Sequence, residues 1–221
     1  NITKFISTKL PRSQNNMSFD FRLKRFLLAL GYPSKVWNPV WMSPLQIGDI
    51  ESLFLEETKY ENIYSEAIDL WDSNKELNDL DKSLEYFVKY YLQDNILVKT
   101  DRASMLNGLE ARSVFLDPKL SEFSSKIPHS FKLNGNIQKY ILKRTFRNSL
   151  PKKILNRKKK GFGIPVNEYF DKIKSKKFKN NDLNISQEFF NKKFEDHLAK
   201  KDDHRLFLWS WIALNKSVSL N

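Results

Sequence analysis

The stretch Asp94 to Asp117 reads DNILVKTDRASMLNGLEARSVFLD, and it decides the fold because charged groups run through what is otherwise an apolar, core-forming segment. A second unusual run, NRKKKGFGIP at Asn156 to Pro165, sets a cluster of cations against two glycines and a proline. Ile96 to Leu109 predicts a buried helix after a turn at Asp94-Asn95, with Ala103 and Ser104 allowing close packing. Gly108 marks either a tight contact or the point where that helix stops. In one continuous helix Asp101 and Glu110, nine residues apart, stand about 180° around the axis. They share a face only if Gly108 ends the helix, so the spacing does not support a paired-carboxylate acid and base.

Outward from this segment the pattern is helical. Phe21 to Leu30, FRLKRFLLAL, places apolar groups at helical spacing with cations on the other side, and Gly31-Tyr32-Pro33 stops it. Val36 to Met42 reads as a short helix or turn, and Ile50 to Asn78 as two brief amphipathic pieces around an acidic patch. Leu80 to Leu92 is a stronger helix, with Leu84, Phe87, Val88 and Tyr91 on one face. Asp117-Pro118 starts a short helix over Lys119 to Ser125, with Asp117 as its cap. A turn at Asn134-Gly135 leads into a helix over Gln138 to Arg147, where Lys139 and Lys143 share a face, and Pro151 to Leu155 gives one more helical turn. The chain closes with helices over Ser186 to Lys200 and Arg205 to Asn215. Asp202-Asp203-His204 reads as a surface turn and cap before the last of them, and Trp37, Trp41, Trp209 and Trp211 read as core.

Composition narrows the function. The 221 residues are 40% hydrophobic and 29% charged, with 17 Phe, 5 Trp and only 6 Gly, which favours a folded, mainly helical protein. The absence of cysteine removes disulfides, thiolate metal sites and a cysteine nucleophile, and the three histidines are too scattered to act as ligands by spacing. No apolar run is long enough to span a bilayer, so a cytoplasmic protein with no membrane partner is expected. The formal charge of +12 invites a polyanion, but lysine scattered along polar faces is the competing explanation, and nucleic acid is the disfavoured partner. Neither a G-x-x-x-x-G-K-[ST] nor a G-x-G-x-x-G loop occurs. The chain opens without methionine, which gives the expectation of a piece from something longer.

The run DNILVKTDRASMLNGLEARSVFLDPKLSEF, the following KYILK, the segment PKKILNRKKKGFGIP and the terminal DDHRLFLWSWIALN together resemble the C-terminal half of the synthetase domain of glutamine-hydrolysing asparagine synthetases. The resemblance covers about Phe21 to Leu214. It implies a mainly α chain that is the C-terminal helical portion of an α/β adenine nucleotide alpha-hydrolase-like (PP-loop ATPase) synthetase domain. The expected organisation is a boundary segment over 1–20, the synthetase-like part over 21–215 and a tail over 216–221. The implied substrates and partners are ATP, aspartate and ammonia drawn from glutamine, together with the missing N-terminal part of the same protein; a homodimer is left open. Mg2+ is implied as the companion of ATP and pyrophosphate, with no metal site in this chain.

The resemblance also implies roles. Glu110, immediately before Ala111-Arg112, matches the glutamate that takes a proton from incoming ammonia, and a structural salt bridge to Arg112 or Arg102 is its plain alternative. Lys159 matches the lysine that meets pyrophosphate or the transition-state oxygen, with Lys160 and Arg157 beside it; a solvated basic loop is the alternative. Asp101 divides between Mg-bound pyrophosphate and a structural role that orients Lys99 or Arg102, Arg102 divides between phosphate contact and carboxylate pairing, and Arg112 and Asp117 both sit at the margin of the cleft. In this reading the chain alone is inert, and its helices present apolar faces that would otherwise cover a parallel sheet.

Overall fold

The computed structural model describes residues 18–157, 170 and 185–218. The chain divides into two compact units, Asn1–Ser73 with Phe162–Asn221, and Asn74–Gly161. Among the described residues the regular secondary structure is helical apart from a single short hairpin.

The first unit opens with α1, Phe19–Ala29, whose start is fixed by Ser18: its hydroxyl accepts from the Phe21 amide. A 3-10 turn over Ser34–Val36 leads to α2, Trp37–Met42. Three helices follow where two were expected: α3, Ile47–Phe54; α4, Tyr60–Ile63; and α5, Ser65–Ser73. Two breaks make three: Leu55 ends α3 in the left-handed region at φ 56°, and Tyr64, at φ −108° and ψ 21°, separates α4 from α5.

Two apolar clusters hold this unit. Ala29, Val36 and Val40 form one, with Tyr32, Tyr60, Tyr64 and Ile68 packed on it. The larger is aromatic, built from Phe170, Phe190, Phe207, Trp211 and their aliphatic neighbours Leu45, Leu53 and Leu208. Phe190 and Trp211 stack with centroids 4.5 Å apart, an offset geometry that adds to the area they bury. These rings come from the last two helices, which here are Gln187–Leu198 and Arg205–Val218. Of the tryptophans expected in the core, Trp211 is there, but Trp37 and Trp209 are 41% and 44% exposed. The Trp37 indole N–H donates to the Tyr32 carbonyl at 2.8 Å, so its polar edge is satisfied at the surface.

The second unit begins with α6, Asp79–Tyr86, capped by Asn78, whose side chain accepts from the Leu80 and Asp81 amides. The expected turn at Asp94-Asn95 is absent. A π-helical segment, Phe87–Leu97, runs straight from α6 into α7, Val98–Met105. No glycine or proline lies between Asp79 and Met105, so nothing in the chain breaks the helix, and the asparagine and aspartate are absorbed on its exposed side.

This long helix is also not buried as predicted. Among the described residues of the second unit Tyr86 alone is buried, whereas Leu84, Val88, Tyr91, Met105 and Leu106 are all exposed, Leu106 at 87%. The apolar face read from the periodicity is present but exposed.

After a 3-10 turn over Val114–Leu116 come α8, Pro118–Lys126, and α9, His129–Lys132. Strand β1, Leu133–Asn134, pairs antiparallel with β2, Ile137–Gln138, in the register Leu133 to Gln138 and Asn134 to Ile137. Gly135 takes the first loop position at φ 54°, a region that costs glycine nothing. The hairpin returns the chain to α10, Tyr140–Thr145, and α11, Lys152–Leu155, follows. Labelled in chain order, the closing pair described above, Gln187–Leu198 and Arg205–Val218, are α12 and α13.

Candidate functional site

The DRASM-to-LEARS segment is shaped by how α7 ends. The Leu109 amide donates to the Ser104 carbonyl at 3.0 Å and the Gly108 amide to the Met105 carbonyl at 3.0 Å, with Gly108 at φ 67°. This is the six-to-one and five-to-two pattern of a Schellman stop, and it needs a left-handed residue where glycine stands. The Asn107 side chain adds a bond to the Ala103 carbonyl at 3.0 Å. Gly108 therefore ends the helix before Glu110, which removes the 180° opposition that a continuous helix would impose on Asp101 and Glu110.

Glu110 lies beyond the stop, exposed, and its carboxylate meets Arg112: Oε1 accepts from Nε at 2.9 Å and lies 2.8 Å from Nη2. The side chains are 68% and 83% exposed. The plain alternative named for Glu110, a pair with Arg112, is thus the geometry present, and a screened pair of this kind contributes little stability. A carboxylate so lightly held is free to exchange partners.

Asp101 and Arg102 sit exposed on α7, and among the described residues neither forms an ion pair. The expected structural pairing of Asp101 with Lys99 or Arg102 is absent, because the helix directs these groups into solvent. Their backbones serve the helix end: the Ser104 hydroxyl donates to the Asp101 carbonyl at 3.0 Å, and the Leu106 amide to the Arg102 carbonyl at 3.1 Å. Asp117 caps α8 as its sequence context predicts, with Oδ1 accepting from the Lys119 and Leu120 amides at 3.0 and 3.1 Å.

Lys139 is not on a helical face with Lys143. It stands ahead of α10 at φ 56°, the left-handed residue through which the hairpin enters the helix. Lys159 and Lys160 lie outside the described residues; the preceding Arg157 is exposed.

A second polar cluster, in the first unit, was not legible from spacing. His197, 3% exposed, is on α12, and its Nδ1 accepts from the His204 amide at 3.3 Å, which leaves the ring proton of the neutral form on Nε2. The Phe170 ring packs edge-on against it with centroids 5.5 Å apart. Asp203 accepts from the Arg205 amide at 3.2 Å and from the Arg205 guanidinium at 2.9 Å. The Asp202-Asp203-His204 run is therefore a half-buried knot rather than a surface turn, while Asp203 takes the first amide of the last helix as the expected cap. Lys200, left-handed at φ 57°, folds α12 back and brings together histidines seven residues apart. Lys24 reaches Asp202 at 3.5 Å, and Lys193 reaches Asp49 at 2.8 Å, tying α1 and α3 to the same region.

Burial pushes the His204 imidazole below its ordinary value, with the Lys193 charge acting in the same direction. Burial likewise lowers Arg25, whose guanidinium donates to the Ser43 carbonyl and lies 5.4 Å from the Phe21 ring centroid. Among the described residues no group of three or more His, Asp or Glu side chains is arranged to hold a metal ion, and no helix is long and apolar enough to cross a membrane.

Comparison with known proteins gives the family. The family model described as Asparagine synthase matches residues 6–219. Asparagine synthetase [glutamine-hydrolyzing] 1 of Bacillus subtilis (strain 168) is 30% identical over 150 residues, which are 65% of this chain and 24% of that protein. A putative asparagine synthetase [glutamine-hydrolyzing] of Mycobacterium tuberculosis (strain ATCC 25618 / H37Rv) is 37% identical over 79 residues, 36% of this chain and 12% of the relative. The asparagine synthetase [glutamine-hydrolyzing] of Gallus gallus is 32% identical over 114 residues, 50% of this chain and 18% of the relative. The chain thus spans about a quarter or less of the length of these relatives. No solved structure matches it significantly. A family match that runs nearly from end to end, over the same segments that carry the Glu110 loop and the basic loop, assigns the chain: it belongs to the asparagine synthase family.

Proposed function

We propose that this chain is the C-terminal part of the synthetase domain of an ATP-dependent, amide-forming ligase that converts aspartate to asparagine with ammonia drawn from glutamine. The observation that carries the reading is the family match over residues 6–219, joined to an exposed Glu110 set just past a glycine-made helix stop. The domain as a whole would have the α/β PP-loop ATPase fold, with its nucleotide loop and the sheet beneath these helices supplied by the remainder of the protein.

The chemistry has two steps. An oxygen of the aspartate side-chain carboxylate attacks the α-phosphorus of ATP, and pyrophosphate departs, leaving β-aspartyl-AMP. Ammonia then attacks the acyl carbon, AMP leaves with the bonding pair, and the nitrogen sheds a proton. Glu110 is assigned that proton. Its present partner, Arg112, is exposed and holds it weakly, so the exchange from guanidinium to ammonium costs little. Lys159 is assigned the negative charge that develops on the phosphate oxygens, with Lys160 beside it, where flanking glycines let the backbone come close. Arg102 and Arg112 suit phosphate oxygens for the same reason, as exposed forks with five donors each. Mg2+ would be carried by the phosphates, with Asp101 the nearest carboxylate in sequence to Arg102, the assigned cation on α7.

The test is release of AMP and pyrophosphate by the full-length parent with ATP, Mg2+, aspartate and either ammonia or glutamine, alongside Glu110→Ala and Lys159→Ala. Aspartate-dependent AMP formation that yields asparagine and is lost in both variants supports the reading. A folded parent that turns over only with another carboxylic acid moves it to a related amidotransferase, and no turnover with any acid removes it.

A further inference from the structure

The charge of this protein is segregated. Residues 74–161, the second unit, hold 19 of the 38 Lys and Arg but only 9 of the 26 Asp and Glu. The rest of the chain carries the other 19 cations against 17 acids and is close to neutral. A general enrichment in lysine would charge both units alike. The excess is narrower still: from Phe123 to Asn167 there is no acidic residue at all, and 12 Lys and Arg.

Nine of those cations are described, and the structure leaves most of them without a counter-charge. Lys126 pairs with Glu122 at 2.7 Å, Lys132 lies 3.7 Å from Asp81, and Arg144 donates to the Tyr140 hydroxyl at 3.1 Å. Lys139, Lys143, Arg147, Lys152, Lys153 and Arg157 have no carboxylate in ion-pair range among the described residues. The hairpin β1–β2 folds α9 back toward α10, so the first part of the tract is gathered there, and the cations from Arg147 onward follow it in sequence. Phe146 stands between Arg144 and Arg147 with its ring 43% exposed, and Phe131 is 45% exposed.

From this arrangement we propose that the tract from α9 to α11 binds single-stranded nucleic acid, a function separate from amide formation. Six uncompensated cations exceed what the four charges of a nucleoside triphosphate require, and they precede the lysines assigned to phosphate chemistry. Cations spaced along a short tract with exposed rings between them suit a sugar-phosphate backbone whose unstacked bases lie on aromatic faces. The proposed binding is independent of sequence, carried by backbone phosphates and by stacking, which every base offers.

The experiment is fluorescence anisotropy of a fluorescein-labelled mixed-sequence oligoribonucleotide, and of its deoxy counterpart, titrated with the 221-residue chain over a range of KCl, with MgATP as competitor. Two variants with equal charge loss are compared: R147Q/K152Q/K153Q in the tract, and K192Q/K200Q/K201Q on exposed positions of the first unit. All six positions are exposed, so circular dichroism should match the unsubstituted chain in both. The proposal expects binding that falls steeply with salt, resists MgATP, and in the tract variant loses about two from the log-log salt slope, at about 0.7 per phosphate contact on a single strand. The first-unit variant should keep the original slope. Equal weakening by both variants would show net charge alone at work and overturn it. So would full displacement by MgATP, binding to phosphatidylserine vesicles without binding to either oligonucleotide, or no binding at low salt.

Discussion

Glu110 and Arg112, two residues apart on an exposed loop, are joined side chain to side chain, with the carboxylate Oε1 2.9 Å from Nε and 2.8 Å from Nη2. The pair separates two roles that are easily confused. If the carboxylate were structural, removing either partner would cost the same, and little: an exposed pair contributes below about 1 kcal/mol. If it receives the ammonium proton, only the glutamate is needed for turnover. In the full-length parent, Glu110→Gln should lower kcat about 100-fold or more, the range of a lost general base. Arg112→Gln, which leaves the carboxylate in place, should lower kcat less than Glu110→Gln does, and neither should shift the melting temperature appreciably. Equal kcat values for the glutamine variant and the parent would remove Glu110 from the chemistry.

Gly108 makes a sharper structural prediction. A Cβ built there meets nothing within 4 Å, so the only penalty for alanine is the backbone at φ 67°. That conformation costs an L-residue about 1 to 2 kcal/mol. Gly108→Ala in the parent should lose stability by about that amount in urea unfolding, and should lower kcat by loosening the Schellman stop that presents Glu110. Gly108→Asn, which tolerates the left-handed region better, should recover part of both. A glycine conserved in conformation only by chance would show no such ordering.

Asp117 separates a helix cap from a place at the margin of the cleft. It caps α8 through the Lys119 and Leu120 amides, and Pro118 already presets the first helical position. Asp117→Ala should therefore cost about 1 kcal/mol, and Asp117→Ser much less, with kcat for the ligase reaction unchanged in both. A loss of turnover in the serine variant would give Asp117 a part in the site.

The helices of the first unit were legible because their ends carry local chemistry. Ser18 and Ser186 cap α1 and α12, and Gly31 closes the first of them within a residue or two of the predicted boundary. Asp117-Pro118 was legible for the same reason. What failed was non-local. Asp94 and Asn95 have turn propensity, but no glycine or proline enforces it, and the helix ran on. Burial of Ile96 to Leu109 depends on whatever lies against that face, which no periodicity reports. The His197 and His204 meeting depended on one left-handed lysine, Lys200, a conformation that lysine does not announce. In the site, the pairing of Glu110 was anticipated from sequence, whereas Asp101 needed the direction of α7. The predictions for Lys159 and Lys160 lie outside the described residues.

The His204 cluster predicts how the first unit responds to acid. Burial holds the imidazole below its ordinary value, so the unfolded chain takes up a proton at higher pH than the folded one. Stability from this group is complete above about pH 6.5, the unperturbed value, and declines as pH falls from there toward the lowered folded value. Equilibrium urea unfolding followed by Trp fluorescence should show a midpoint that drops across this window. His204→Gln should flatten the response, since the side chain no longer titrates while the backbone amide still reaches His197. An equal drop in the variant would assign the titration to another group of the knot.

The second unit makes the last prediction, and it follows from accounting for apolar area rather than from any single contact. Leu106, Val114, Phe115 and Phe123 are between 62% and 87% exposed, and Tyr86 is the one buried residue described in this unit. At about 25 cal/mol for each Å² of apolar surface left in water, side chains of this size forgo on the order of 1.5 to 3 kcal/mol each when they are not covered. Helices alone do not replace that, since short helices are marginal in water without a packed face. The isolated chain should therefore bind 1-anilinonaphthalene-8-sulfonate strongly and associate as its concentration rises. Replacing Leu106 and Phe115 by glutamine should lower both signals without loss of helical circular dichroism, because neither side chain is buried within the chain. In the full-length parent the same pair should be destabilising, because there the surface would be covered. A sharp, reversible urea transition for the isolated chain, with spectra unchanged on high dilution and no dye binding, would mean that the second unit is complete as it stands.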